Sequence, residues 1–154
     1  MLRLSAAPYL KLREHALYAP ADGKAGAAIR PAGILVVEDD YFVALQLEHD
    51  LQEAGFVVVG IARSADEALS IATAEKPELV IMDIRLAGRR DGVDAAIELL
   101  AHFGVRSIFA TAHGDQETKR CAERANPLGW LQKPYPSNAL VALVNEALGA
   151  EGRS

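Results

Sequence analysis

The chain has 154 residues, 51% of them hydrophobic and 24% charged, with a formal net charge of −5. That length carries one domain with a real core, and the composition is that of an ordinary folded protein rather than a disordered or fibrous one. The acidic balance argues against a nucleic-acid surface, which needs clustered Lys and Arg to neutralise phosphates. The single cysteine, Cys121, excludes an internal disulfide and suits a reducing compartment. His15, His49, His102 and His113 show no metal-ligand spacing. No apolar run is long enough to cross a bilayer, and Lys11, Arg13 and Glu14 interrupt any apolar signal-peptide core, so a cytoplasmic location is expected.

Residues 1–32 are rich in Ala, Pro and Gly, and their second half reads as a linker. Pro8 to Leu17 forms either a short docking helix or no regular structure. From Ile34 the pattern becomes regular. Ile34-Leu35-Val36-Val37 is a short apolar strand that stops on Glu38-Asp39-Asp40. A helix follows from Tyr41 to Ala54, with Val43, Ala44, Leu47, Leu51 and Ala54 on one face, and Gly55 ends it. Phe56 to Ala62 is a second strand. Ser64-Ala65-Asp66-Glu67 has the form of a capping box opening a helix to Glu75, with Ala68, Leu69 and Ala72 inward.

The run Leu79-Val80-Ile81-Met82 reads as a strand buried on both faces, and it stops on Asp83. After the loop Ala87–Asp91, Val93, Ala96, Ile97 and Leu100 mark a third helix. Arg106 to Ala110 is a fourth strand, and a weaker helix spans 115–125. Leu128 to Gln132 is a fifth strand. Ser137 caps a last helix carrying Leu140, Val144, Ala147 and Leu148, with Gly149 as its stop. Strands alternating with helices at this spacing predict right-handed crossovers and a doubly wound, five-stranded parallel sheet of flavodoxin-like order, covered on both faces. The expected domain is 33–149, with 150–154 as a tail too short for a second one.

In such a sheet the ligand crevice lies at the strand carboxyl ends. Glu38, Asp39 and Asp40 end the first strand, Asp83 the third, Thr111 the fourth and Lys133-Pro134 the fifth. With the first strand central, these ends converge. Carboxylates brought together must take up protons or share a cation, and Mg²⁺ favours one or two carboxylates with waters and phosphate oxygens. A lysine and a hydroxyl at the same edge can hold phosphoryl oxygens, and an Asp carboxylate can be a nucleophile towards phosphorus. The parts describe phosphoryl transfer onto Asp83.

Val36-Val37-Glu38-Asp39-Asp40, Val80-Ile81-Met82-Asp83, Asp91-Gly92, Phe109-Ala110-Thr111-Ala112 and Leu131-Gln132-Lys133-Pro134-Tyr135 also resemble, in order, the motifs of the receiver domain of two-component response regulators. The resemblance covers residues 33–149. It implies that Asp83 is the phosphoacceptor and that Glu38, Asp39, Asp83 and the backbone carbonyl of Arg85 hold Mg²⁺. It makes Thr111 the switch hydroxyl, Lys133 the lysine that contacts the phosphoryl group, and the Lys133–Pro134 bond cis. Asp40 falls after the metal-holding pair, outside the shell. Trp130 stands where the family has Tyr or Phe, as the second switch residue. The phosphodonor would be a histidine kinase or a histidine phosphotransfer protein, and the surface at 115–125 and Trp130 would respond.

Two departures stand out. The loop between Asp83 and Gly92 lacks the proline often found there, which puts its shape in doubt. Trp130 is larger than the usual aromatic, which puts its rotation in doubt. The expectation is a stand-alone receiver that signals through a downstream partner or serves as a phosphate sink, with only slow self-catalysed loss of phosphate; a homodimer stays open. An interaction module working without phosphorylation is the alternative. An Asp-nucleophile phosphohydrolase is a weaker one, because Arg85 stands where that class needs an acidic group. Plainer readings exist for single residues: Lys133 as a solvated lysine, Thr111 as a turn residue, Trp130 as core packing, and Arg89-Arg90 as an exposed pair set against a partner contact. His113 reads as a surface residue, or as one that governs access of water to the phosphoryl group.

Overall fold

The structure is a computed structural model that describes residues 30–151. The expected helix at Pro8–Leu17, the linker up to residue 29 and residues 152–154 of the tail lie outside the described residues. Five strands are present: β1 (Gly33–Val37), β2 (Val57–Ala62), β3 (Leu79–Met82), β4 (Ser107–Thr111) and β5 (Gly129–Gln132). They alternate with the helices α1 (Tyr41–Glu53), α2 (Ala65–Glu75), α3 (Gly92–Phe103), α4 (Gln116–Ala122) and α5 (Ser137–Glu151). A single 3₁₀ turn, Glu123–Ala125, continues α4.

All strand pairs are parallel, in the order β2-β1-β3-β4-β5. The apolar runs go inside because helices cover both faces, so neither face of β3 meets water. β3 holds the middle of the sheet, where the sequence reading placed the first strand, and β1 lies between β3 and β2. After β2 the chain crosses over β1 to β3 and then steps outward to β4 and β5, so the switch point falls between the ends of β1 and β3.

Alternation along the strands divides the core into two layers. Ile34, Val36, Ile81 and Ile108 pack with Leu47 and Leu51 of α1 and with Leu140 and Val144 of α5. Leu35, Val37, Val80, Met82 and Phe109 face the other way, against Ala68 and Ala72 of α2, Val93, Ala96 and Leu99 of α3, and Ala122 of α4. The small residues of α2 let that helix approach closely, while α1 and α5 fill their side with leucines and valines. Burying each large aliphatic residue stabilises the fold by about 1.5–3 kcal/mol before entropy is counted.

Helix starts follow the polar residues ahead of them. Asp40 caps α1 by accepting from the N–H groups of Phe42 (2.9 Å) and Val43 (3.1 Å). Ser64 caps α2 through Glu67 N–H (3.2 Å), and the Glu67 carboxylate reaches back to Arg63 N–H (2.9 Å). Asp91 and Asp94 form a reciprocal capping box on α3.

Four expectations need correcting. Ala54 is the exposed C-cap of α1 rather than part of its buried face. On α3 the deepest residues are Ala95 and Leu99, and Ile97 and Leu100 are only half-buried, because the helix is rotated relative to the predicted stripe. Ser137 is the first residue of α5, and its hydroxyl donates to Asp50 of α1 (2.8 Å). Finally, α5 passes through Gly149 to Glu151; Gly149 is not among the glycines with positive φ, so it does not supply the left-handed stop that Gly55 (φ +91°) supplies to α1.

The loop from Asp83 to α3 closes through Gly92. Its N–H donates to Ile84 O at 2.7 Å. A Cβ at this position would fall 1.9 Å from the carbonyl oxygen of Asp83 itself, and a backbone atom cannot yield as a side chain would. Gly92→Ala is therefore expected to destabilise the domain by about 1–3 kcal/mol in denaturant unfolding. A variant as stable as the parent would show that the loop does not need this close approach.

Candidate functional site

The carboxyl ends of β1, β3, β4 and β5 form one edge, and the predicted polar residues stand along it. Backbone ladders fix their positions. Glu38 N–H donates to Ala62 O (2.9 Å), Asp83 N–H to Val37 O (2.9 Å), and Lys133 N–H to Thr111 O (2.9 Å). The strand pairing thus extends one residue past each apolar run and holds the first polar residue at the rim.

The result is an acidic cluster. One carboxylate oxygen from each of Glu38, Asp39 and Asp83 lies within 4.8 Å of the others. Glu38 and Asp83 are nearly closed to solvent, at 2% and 8% exposure, and Asp39 is half-buried. The Lys133 ammonium enters the cluster, 2.5 Å from Glu38 Oε2 and 3.4 Å from Asp83 Oδ2. Glu38 Oε1 accepts the N–H of Asp40 at 3.1 Å. One lysine does not balance three carboxylates, and a hard divalent cation would complete the neutralisation. The donor set, all oxygen on a half-open rim, fits Mg²⁺ with several of its waters retained.

Burial is the largest influence on the Glu38 carboxyl and pushes it above its usual range. Hydrogen bonds from Lys133 and the Asp40 N–H pull it down, and the charge of Asp83 pushes it up again. The folded chain without a cation therefore favours the neutral acid more than the unfolded chain does. The stability this carboxyl contributes is complete below its unfolded pKa and declines as pH rises through the higher folded one. A cation among these oxygens reverses that preference. Burial likewise raises the Tyr135 phenol, with Glu38, Asp50 and Asp83 adding to the effect; it stays a neutral hydroxyl beside the carboxylates.

Thr111 is 3% exposed at the end of β4, and its hydroxyl accepts the N–H of His113 at 3.3 Å. Trp130 is half-buried on β5, stacked on Phe109 with ring centroids 4.8 Å apart and planes at 24°. The Lys119 ammonium of α4 lies 5.4 Å from the Trp130 ring centroid, within cation–π range. The indole thus joins β4, β5 and α4. The Lys133–Pro134 bond is cis. The side chain of Arg85 is exposed two residues past Asp83, and His113 is exposed as well. Asp40, set outside the shell by the sequence, is occupied in capping α1.

Two residues make contacts that the sequence does not suggest. Tyr135, directly after the cis Pro134, packs on the apolar layer under α1 and α5, close enough for the charges of Glu38, Asp50 and Asp83 to act on its phenol. Arg90, read as half of an exposed pair, forks between the Asp66 and Glu98 carboxylates. No local pattern signals that bridge, since its partners lie 24 residues before it and 8 after.

Comparison with known proteins agrees with this arrangement. The family profile of the response regulator receiver domain matches residues 34–145. The transcriptional regulatory protein PdtaR of Mycobacterium tuberculosis is 33% identical over 124 residues, covering 80% of this chain and 60% of PdtaR. The phyllosphere-induced regulator PhyR of Methylorubrum extorquens is 36% identical over 127 residues, 82% of this chain and 47% of that protein. The chain thus spans only about half to three-fifths of these relatives' length. Among solved structures, the signal receiver domain of a modulated diguanylate cyclase from Desulfovibrio desulfuricans superposes with a TM-score of 0.75 at 34% identity, covering 79% of this chain and 97% of that one. PhyR from Brucella abortus gives a TM-score of 0.69 at 35% identity, covering 79% and 49%. With the fold, the order of the motifs and the family match in agreement, the chain belongs to the response regulator receiver domain family.

Proposed function

We propose that this receiver domain takes a phosphoryl group from a phosphohistidine onto Asp83 in a Mg²⁺-dependent reaction, and that the modified domain presents a changed surface at α4 and Trp130 to a partner. The observation that carries the reading is the Glu38–Asp39–Asp83 cluster with Lys133 inside it. Glu38 and Asp39 would hold the cation together with Asp83 and the Arg85 carbonyl. Bound Mg²⁺ would neutralise charge as it develops on the transferring phosphoryl oxygens. Asp83 supplies the attacking carboxylate oxygen. Lys133, already placed between Glu38 and Asp83, exchanges part of its contact with Glu38 for a phosphoryl oxygen. Thr111 has its hydroxyl at the same rim and turns towards the new charge.

The donor is inferred to be a histidine kinase or a histidine phosphotransfer protein. A groove of about 600 Å³ runs from Phe42 of α1 to Lys133 and Tyr135, beside the reacting group. Tyr41 and Phe42 are 65% and 79% exposed at the start of α1, so an apolar surface borders the site where a donor must approach. A phosphohydrolase reading finds no support at position 85, where Arg85 stands in place of an acidic group.

Incubation with a small-molecule phosphodonor and Mg²⁺, followed by intact mass, tests the reaction. The parent is expected to gain one phosphoryl group and Asp83→Asn none. No adduct on the parent would favour an interaction module that works without phosphorylation. Lys133→Ala separates the two roles of the cluster: it should retain Mg²⁺ binding, measured calorimetrically, while phosphorylation slows on the order of 100-fold. Equal rates for this variant and the parent would remove Lys133 from the mechanism.

A further inference from the structure

The loop from Ile84 to Asp91 carries the carbonyl expected to complete the metal shell, yet it lacks a proline to fix its backbone and turns through Gly88 at φ +96°. Something else must hold it. Its first limb is pinned by backbone: Ile84 O accepts from Gly92 N–H (2.7 Å), and Ala87 N–H donates to Arg63 O (3.3 Å) beside a single bridge between Ser64 and Ala87. Its second limb is pinned by a side chain. The Arg90 guanidinium places one nitrogen on Asp66 in the first turn of α2 and the other on Glu98 in α3.

A lone surface ion pair contributes little. This one differs in two ways. The guanidinium is a planar fork whose two arms bind different elements, so it fixes a direction as well as a distance. The Arg90 and Glu98 side chains are only 36% and 34% exposed, against 86% for Asp66, so the Glu98 arm is the better shielded of the two.

We propose that Arg90 is a positioning residue for the metal site: by forking between Asp66 and Glu98 it presets the 84–91 loop, and with it the backbone carbonyl of Arg85. The proposal rests on the Mg²⁺ reading given above. It has a sign that plain electrostatics lacks. Deleting a positive charge near a cation site should leave Mg²⁺ binding unchanged or make it tighter. Deleting a support for one of the ligands should make it weaker, as loss of outer partners of metal ligands does by about tenfold or more.

The test is calorimetric titration of the full chain with Mg²⁺, together with amide hydrogen exchange of the metal-free protein. Arg90→Ala is expected to raise the Mg²⁺ Kd about tenfold and to speed exchange at Ala87 and Gly92. Arg89→Ala, which deletes the neighbouring exposed charge, is expected to do neither. Arg90→Lys keeps the charge without the fork and should also bind Mg²⁺ more weakly than the parent. Unchanged or tighter binding by Arg90→Ala, parent-like binding by Arg90→Lys, or weaker binding with unchanged loop exchange would each overturn the proposal and leave the Mg²⁺ reading standing. A parent chain that does not bind Mg²⁺ would overturn both.

Discussion

Three carboxylates and one ammonium have to share the rim of an otherwise apolar sheet, and much of this structure answers that constraint. A charge taken out of water is costly unless it is paired and hydrogen-bonded. Glu38 is almost wholly buried, and it is tolerated because Lys133 and the Asp40 N–H reach its two oxygens. These groups come from opposite ends of the domain sequence, and only the sheet brings them together. Lys133 arrives just past the last strand, 95 residues after Glu38. The order β2-β1-β3-β4-β5 is what turns four separate strand ends into one pocket. The excess negative charge that remains suits a divalent cation, and in the proposed reaction that cation would in turn draw a phosphoryl group.

The same edge leads to the rest of the surface. Thr111 ends β4 two residues past Phe109, and Phe109 lies under the indole of Trp130, which in turn lies under Lys119 of α4. A new charge at Asp83 that draws the Thr111 hydroxyl would act on a β4 already in contact with this stack. A signalling event of this kind needs two packings close in free energy rather than a continuous deformation. The large indole, stacked on Phe109 and approached by Lys119, would turn less readily than a smaller ring. In the proposed switch the α4 surface would respond, and α4 is a short helix that finishes in a 3₁₀ turn.

Much of this was legible in the sequence because short apolar runs that stop on a charged or hydroxyl residue carry both messages at once. Val80-Ile81-Met82-Asp83 states that a strand is buried and also where it ends. Glu38 and Thr111 were readable for the same reason, and Asp39 and Lys133 from their place beside those strand ends. What escaped depends on packing between distant segments. The rotation that buries Leu99 and half-exposes Leu100 is set by how α3 lies on the sheet, which a stripe of apolar residues fixes only to within a residue or so. Ser137 resembles a cap, but the Asp50 carboxylate across the groove takes its hydroxyl instead. Gly149 resembles a stop, but nothing there requires a left-handed residue and the helix continues. Arg90 reads as a solvated charge until folding sets Asp66 and Glu98 on either side of it.

We infer that the cluster at the sheet edge is a divalent-cation site whose charge is left unbalanced without the ion. Its most direct test is the thermal midpoint of the parent and of Asp39→Asn across a Mg²⁺ titration at neutral pH. A ligand that binds only the folded chain raises the midpoint as its concentration passes Kd. The parent is expected to show such a rise, and Asp39→Asn to lose it or to show it only at much higher Mg²⁺. A parent midpoint that does not change with Mg²⁺, or an Asp39→Asn curve that superposes on the parent's, would contradict a cation site at this edge.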